Sequence, residues 1–313
     1  MSRAVTPGCL SQLSGAEVRR RLRGRDGLRL QVGPYCYSIE CVEPVVAAGL
    51  SRLYGDFPLA PRQGFVDFQV ALRPTNVLQH LRHQLVFLFD EQQPFASIPA
   101  SQAYAFLEWG MNWCLSTTMH EYLKLHAAVV AKQGLAVVMP GLPGAGKSTL
   151  CAALGLRGWQ VLSDEHALIQ PGTANVVPVN RPISLKNESI DVIRAFEPTA
   201  VLGPVSNDTH KGRVAHLKAD LVPGSHDPTP VRAAFMLYPR YEARAALTLR
   251  SRRRAESFIF AAHHSFNYSA LGEAGFEAMA HFTDAVESLD LRYSDLDQAI
   301  TRLEALVAGS SGA

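Results

Sequence analysis

The feature that most constrains this chain is Gly141-Leu142-Pro143-Gly144-Ala145-Gly146-Lys147-Ser148, a G-x-x-x-x-G-K-S loop between two segments of opposite character. Leu135-Ala136-Val137-Val138-Met139 before it reads as a buried strand, and Thr149-Leu150-Cys151-Ala152-Ala153-Leu154 after it reads as a helix. The pattern alone should arise by chance in on the order of one chain in a hundred, so the strand-loop-helix setting carries the argument. Glycines let backbone N–H groups turn inward and approach phosphate oxygens, and the helix that follows adds its partial positive N-terminus. In this reading Gly141 through Thr149 hold a phosphate chain. Lys147 reaches the β and γ phosphates as a point charge, and Ser148 gives its hydroxyl to Mg²⁺. ATP and Mg²⁺ are the cofactors expected. The competing reading is a Gly-rich turn that only caps a helix.

A phosphate loop does not by itself imply transfer; an acid must stand nearby. Val161-Leu162-Ser163-Asp164-Glu165 offers two. Residues 159–162 are expected to form the strand returning from the loop's helix, with Asp164 just past its end, where a right-handed crossover sets it beside the phosphates. One acid can then hold Mg²⁺ through water while the other accepts a hydroxyl proton. Asp164 as a helix N-cap, or Ser163-Asp164 as an ordinary turn, is the plainer alternative.

Thirty basic and 28 acidic residues leave a formal charge of +2, so no strong field toward nucleic acid is expected. Apolar residues make up 47% of the 313, yet none of the runs reaches the roughly 20 residues needed to span a bilayer. Residues 1–13 lack the apolar core of a secretory signal. Cysteines at 9, 36, 41, 114 and 151 include no C-x-x-C pair, which argues against a zinc site or a disulfide framework. A cytoplasmic protein without membrane insertion is the expectation.

Along the chain, residues 28–32 and 35–39 flank Gly33-Pro34 as a hairpin, residues 44–54 show helical spacing, and residues 65–72 and 85–89 read as strands. Residues 100–126 read as one long, mostly buried helix carrying Trp109, Trp113, Leu115 and Leu123, with Gly110 as the only candidate interruption. From His126 short β-branched runs alternate with helices, the signature of an α/β sheet with crossover connections. Residues 127–130 and 135–139 are expected as strands around Lys132-Gln133-Gly134. After Pro171 the chain turns Pro-rich, which suggests loops gathered near the site. Residues 231–237 and 245–249 read as late strands, 276–286 and 296–307 as closing helices, and 309–313 as a frayed tail. Two domains follow, 1–118 as a smaller α+β domain and 119–313 as the catalytic one. Thr209-His210-Lys211-Gly212-Arg213-Val214 reads as a mobile cationic loop from which Lys211 or Arg213 could reach a γ-phosphate, with a solvated turn as the alternative.

His126, the phosphate loop and Asp164-Glu165 together resemble the bacterial HPr kinase/phosphorylase family, in which a His-Gly strand, a P-loop and an Asp-Asp pair follow in that order. Leu125-His126-Ala127-Ala128-Val129 stands where the family has its His-Gly-Val-Leu-Val strand. The resemblance implies a P-loop kinase domain of the HPr kinase/PEP carboxykinase type. It makes Asp164 the base that takes the acceptor proton, places His126 near the phosphates, and leaves Glu165, in place of the second Asp, as a metal or proton ligand. Ser189-Ile190-Asp191-Val192-Ile193 is similar to the family's second signature, but Arg181 to Glu188 replaces its Gly-rich, Glu-containing part. Glu188 could substitute there, and Lys186 could instead stabilise transferred charge. Leu107-Glu108-Trp109-Gly110-Met111-Asn112-Trp113 and Pro182-Ile183-Ser184-Leu185-Lys186-Asn187 look closer to the HPr-kinase-related kinase A branch linked to exosortase loci.

The resulting expectation is an ATP·Mg²⁺-dependent kinase that phosphorylates a hydroxyl, Ser of a protein or peptide, with residues 1–118 recognising the partner and self-association left open. A nucleotide-binding scaffold with little turnover, or a kinase for a sugar or other small alcohol, are the alternatives. Arg250 with Arg252-Arg253-Arg254 reads as a solvated face, and His263-His264 lacks the partners of a metal site.

Overall fold

The computed structural model describes residues 8–310 except Arg62, Pro143 and Asp220. In chain order its helices are α1 (Gly15–Arg23), α2 (Pro44–Leu53), α3 (Val77–Leu81), α4 (Ala103–Thr117), α5 (Lys147–Leu156), α6 (Glu188–Phe196), α7 (Arg254–His263), α8 (Tyr268–Leu271), α9 (Glu273–Ala285) and α10 (Leu296–Ser310). The strands begin with β1 (Leu28–Val32), β2 (Tyr35–Cys41), β3 (Phe68–Arg73), β4 (Gln84–Phe89), β5 (Ile98–Pro99), β6 (Leu123–Lys132), β7 (Leu135–Pro140) and β8 (Gln160–Ser163). They continue with β9 (His166–Ile169), β10 (Asn175–Val177), β11 (Ile183–Lys186), β12 (Ser206–Thr209), β13 (Gly212–Leu217), β14 (Val231–Tyr241), β15 (Thr248–Ser251) and β16 (Glu287–Tyr293). The protein is mixed α/β. Among the described residues no helix is long and apolar enough to cross a membrane.

The chain divides into two compact units. The first holds Met1–Leu115, Ser184–Asp191 and Thr199–Lys218; the second holds Ser116–Ile183, Val192–Pro198 and Ala219–Ala313. Sequence gave no hint of the two later segments in the first unit. They carry most of a three-stranded sheet, β11-β13-β12, tied back by Lys218 to Asp56 at 2.6 Å and by Gln102 Nε2 donating to the Asp208 carbonyl at 3.1 Å.

The first unit's main sheet runs β1-β2-β3-β4-β5. The β1-β2 hairpin turns on Gly33 and Pro34 with Val32 opposite Tyr35, and β3 joins parallel to β2. Residues 100–126 do not form one helix: α4 stops at Thr117, and Leu123 already opens β6. The β-branched pair Thr117-Thr118 is a weak helix former, and Leu123-Lys124-Leu125 gains a ladder partner in β9 that no isolated helix would provide. Gly110 does not interrupt α4 either. A Cβ there would stand 2.1 Å from the Phe87 ring, so glycine is what lets the helix lie against β4. The aromatics of this helix are packing residues: Trp109 meets Phe95 at 4.2 Å and Trp113 meets it at 5.0 Å between ring centres. Glu108 is buried between the hydroxyls of Tyr54 and Tyr104, which donate to it at 3.0 and 2.7 Å.

The second unit is built on a sheet ordered β10-β9-β6-β7-β14-β16-β15, with β8 also on β6. The two strands expected around Lys132-Gln133-Gly134 are β6 and β7. β6 and β7 form an antiparallel hairpin, Lys132 opposite Leu135. Their two-residue turn has Gln133 at φ +54° and Gly134 at φ +76°, the double left-handed geometry that matches strand twist. β14 runs parallel to both β7 and β16. Odd-numbered residues of β6, Leu123 to Ala131, face a core completed by Ala261 of α7 and Ala278, Met279 and Phe282 of α9. Alternation turns the even-numbered residues to the other face, where α5 packs so closely that a Cβ on Gly155 would stand 2.9 Å from Val161.

Several late elements differ from expectation. β14 extends to Tyr241, β15 begins at Thr248, and neither α7 nor β16 was foreseen. Gly309 and Ser310 continue α10, while residues 311–313 lie outside the described residues. Residues 171–230 hold β10 to β13 and α6 rather than loops alone. Four of the five cysteines are buried.

Candidate active site

β7 ends at Pro140, and the loop carries the chain to α5, which starts at Lys147. Gly144 and Gly146 take φ of +83° and +90°, values that L side chains resist. Among the described residues nothing lies within 4 Å of where a Cβ on Gly144 would point. The loop closes on itself through the Ala145 amide, which donates to the Leu142 carbonyl at 3.2 Å, and Leu150 starts the helix ladder on the Gly146 carbonyl at 2.9 Å. Lys147 is 7% exposed. Its ammonium donates to the carbonyls of Gly141 at 2.5 Å and Leu142 at 3.2 Å, folding back along the loop. Ser148 and Thr149 are half-buried at the helix start. Pro143, part of the motif, lies outside the described residues.

Register brings the acids to this loop. β7 and β8 are both antiparallel to β6, so they run the same way with β6 between them, and α5 is the crossover. Ala127 faces Pro140 on one side, and Val129 faces Ser163 on the other. The first loop residue, His126 and Asp164-Glu165 therefore share one level of the sheet.

Asp164 lies just past the end of β8, as expected, but the chain does not leave the sheet there. The pairing of β6 with β8 resumes at once with β9, His126 opposite His166, and the Ala127 amide donates to the Glu165 carbonyl at 3.3 Å across the break. Ser163 Oγ makes the break by accepting from the amides of Glu165 at 3.3 Å and His166 at 2.9 Å, a side-chain turn that competes with the ladder. Asp164 is thus held in the break between β8 and β9, 6% exposed. Its neighbour across the crossover is Cys151 of α5, whose thiol pKa is pushed up by burial and then by the charge of Asp164.

Glu165 turns the other way, to solvent and to His126. Its Oε2 stands 2.9 Å from His126 Nε2, with both side chains about a quarter to a third exposed. Phe266 lies beside His126 and His166, ring centres 5.7 and 4.9 Å apart. His166 is 2% exposed, and its Nε2 is 2.7 Å from Ser116 Oγ. Burial pulls its pKa down to about 3, against the raising effect of Glu165 and with help from Arg181, His126 and Lys124. Lys124 is fully buried and donates to the Ser116 carbonyl at 2.9 Å; burial draws its pKa down to about 8.

Sequence reasoning missed His166, Lys124 and the buried Arg181. The signal available was a lysine between two leucines in a strand-like run, Leu123-Lys124-Leu125. A charge at that place has to be buried with partners.

The remaining expected residues belong to the first unit. Within residues 209–214, His210 and Lys211 form a two-residue turn between β12 and β13, the turn that stood as the alternative to a mobile loop. Asn187 clamps it, accepting from the Arg213 amide at 3.1 Å and donating to the Lys211 carbonyl at 3.2 Å. Thr209 Oγ1 adds a bond to the Gly212 carbonyl at 2.7 Å. Arg213 is engaged by both oxygens of Asp191, at 3.0 and 3.3 Å. Lys186 closes β11, its amide donating to Ser189 Oγ at 2.7 Å, and Glu188 opens α6.

Among the described residues no three His, Cys, Asp or Glu side chains cluster as a metal cage. A magnesium ion of a phosphoryl-transfer site takes one or two protein oxygens and completes its shell with water and phosphates, so Ser148 and Glu165 fit that donor chemistry.

No protein-family model matches the sequence, and no curated protein matches it. Among solved structures, the Hpr(Ser) kinase/phosphatase from Coxiella burnetii is similar over 59% of this chain and 98% of its own, at 12% identity and a TM-score of 0.26. This likeness is distant and partial.

Proposed function

We propose that the protein is an ATP·Mg²⁺-dependent phosphotransferase of the HPr-kinase-like type, acting on a hydroxyl, the Ser of a protein or peptide. The observation that carries the reading is the shared sheet level of three elements: the glycine-rich loop at the end of β7, the contact of His126 on β6 with Glu165, and Asp164 buried beside Glu165 in the break between β8 and β9. In this reading the amides around Gly144 and Gly146, with Lys147, hold the nucleotide phosphates, and Ser148 and Glu165 supply protein oxygens to Mg²⁺. The bound metal offsets charge on the transferred group. Asp164 takes the proton of the acceptor hydroxyl. His126 orients Glu165. Lys147, now hydrogen-bonded to loop carbonyls, exchanges those for phosphate oxygens when nucleotide enters. Residues 1–118 are assigned to acceptor recognition, the cytoplasm is the compartment, and the HPr-kinase-related kinase A branch is the closest reading within the type.

The test is γ-labelled ATP with cell extract or candidate peptides, using wild type and Asp164→Asn. Wild type should label a discrete acceptor. The variant should bind ATP with unchanged affinity while transfer falls at least about 100-fold, as for loss of a general base. Transfer retained in the variant would refute the role given to Asp164, and absence of any labelled acceptor would favour a nucleotide-binding scaffold.

A further inference from the structure

The parallel strands on the far side of the phosphate loop end in a pair of tyrosines. Tyr241 closes β14, Tyr293 closes β16, and the two are direct partners in the ladder. Both reach Gly146: a Cβ there would stand 3.1 Å from the Tyr293 hydroxyl and 3.5 Å from Tyr241 Cβ. Tyr293 is buried at 1% exposure and forms the floor, whereas Tyr241 is 55% exposed and stands at its edge, ring centres 5.9 Å apart at 70°. Glu242, next in sequence, is held by its amide to the Tyr293 carbonyl at 2.9 Å and by its carboxylate between Arg240 and Arg292. The backbone on both sides of Tyr241 is therefore held, while the residue itself is left exposed.

Direction follows from the sheet order. Asp164, Glu165 and His126 lie on β6 and the β8/β9 strand, to one side of β7; β14 and β16 lie to the other. If the transferred phosphoryl group faces the acids, the opposite end of the nucleotide leaves toward β14 and β16. Ligands of sheets of this kind sit at the carboxyl ends of parallel strands, which is where Tyr241 stands. We propose that Tyr241 is the stacking platform for the purine base of the bound nucleotide, a subsite that rests on the nucleotide-binding reading above. Stacking suits an aromatic ring at this place because every base offers a π-face and the rigid ring loses little freedom on binding.

The experiment compares binding of Mg·ATP and of inorganic tripolyphosphate, which carries the phosphates without a base, to wild type, Tyr241→Ala and Tyr241→Trp. Tyr241→Ala should bind ATP about tenfold more weakly, the loss of one stacking contact, with tripolyphosphate affinity unchanged; Tyr241→Trp should retain ATP affinity. Unchanged ATP affinity in Tyr241→Ala, or an equal loss for tripolyphosphate, overturns the base subsite and leaves nucleotide binding standing. Wild type that binds neither ligand overturns the nucleotide reading itself.

Discussion

At the scale of single residues, the pair His166 and Glu165 shows how one strand kink separates two chemistries. Glu165 meets His126 at the surface, while His166 is buried against Ser116 Oγ. A histidine held neutral by burial has a definite pH signature. Its pKa is about 6.5 in the unfolded chain and about 3 when folded. Between those values the unfolded state binds the proton and the folded state does not, so stability falls as pH drops from 6.5 toward 3 and is unaffected by this group above 6.5. The loss is at most about 1.4 kcal/mol per pH unit, or about 2 kcal/mol by pH 5. His166→Gln keeps a side chain able to bond Ser116 and removes the titration, so its urea midpoint should depend less steeply on pH between 7 and 5 than that of wild type; parallel slopes would refute this account. The motif Gly141 to Ser148, Asp164 and His126 were legible as residues. Lys124, Arg181 and His166 were not, because their roles come from strand neighbours distant in sequence.

At the scale of elements, glycines mark where sequence reading and structure part. Gly110 is a helix breaker by propensity, yet α4 runs through it because Phe87 occupies the space a side chain would need. Gly110→Ala should therefore lower stability despite a gain of about 1 kcal/mol in helix propensity, since overpacking costs about 1–3 kcal/mol. A raised midpoint in denaturant would show that Phe87 yields instead. Gly212 makes a second case. Its φ is +79° and a Cβ would stand 2.3 Å from Asn187 Oδ1, whereas Gly134, at φ +76°, has nothing within 4 Å. Gly134→Ala should lose only the left-handed backbone penalty of about 1 kcal/mol. Gly212→Ala should lose clearly more, as the clamp on the β12-β13 turn has to move; equal losses in thermal unfolding would count against that clamp. The helix expected through residue 126 failed for a related reason: local periodicity carried no information about the ladder that β9 offers to residues 123–126.

At the scale of the whole molecule, a nucleotide that binds only the folded state must stabilise it. At 100 times its dissociation constant, Mg·ATP should add about 2.7 kcal/mol by mass action and raise the melting temperature of wild type. Lys147→Ala should abolish that rise, and an undiminished shift in the variant would place the nucleotide elsewhere. Sequence by itself determined the strand-loop-helix setting of Gly141 to Ser148, the order of His126, loop and acids, the α/β character and the first hairpin, because each depends on residues close together in the chain. Tertiary structure decided the rest. It buried Asp164, the residue after β8, in the break before β9, where the pairing with β6 resumes. It also carried residues 184–191 and 199–218 into the first unit and set Tyr241 beside Gly146. These outcomes depend on register between strands tens to more than a hundred residues apart, and register is fixed by cross-strand burial that no local pattern encodes.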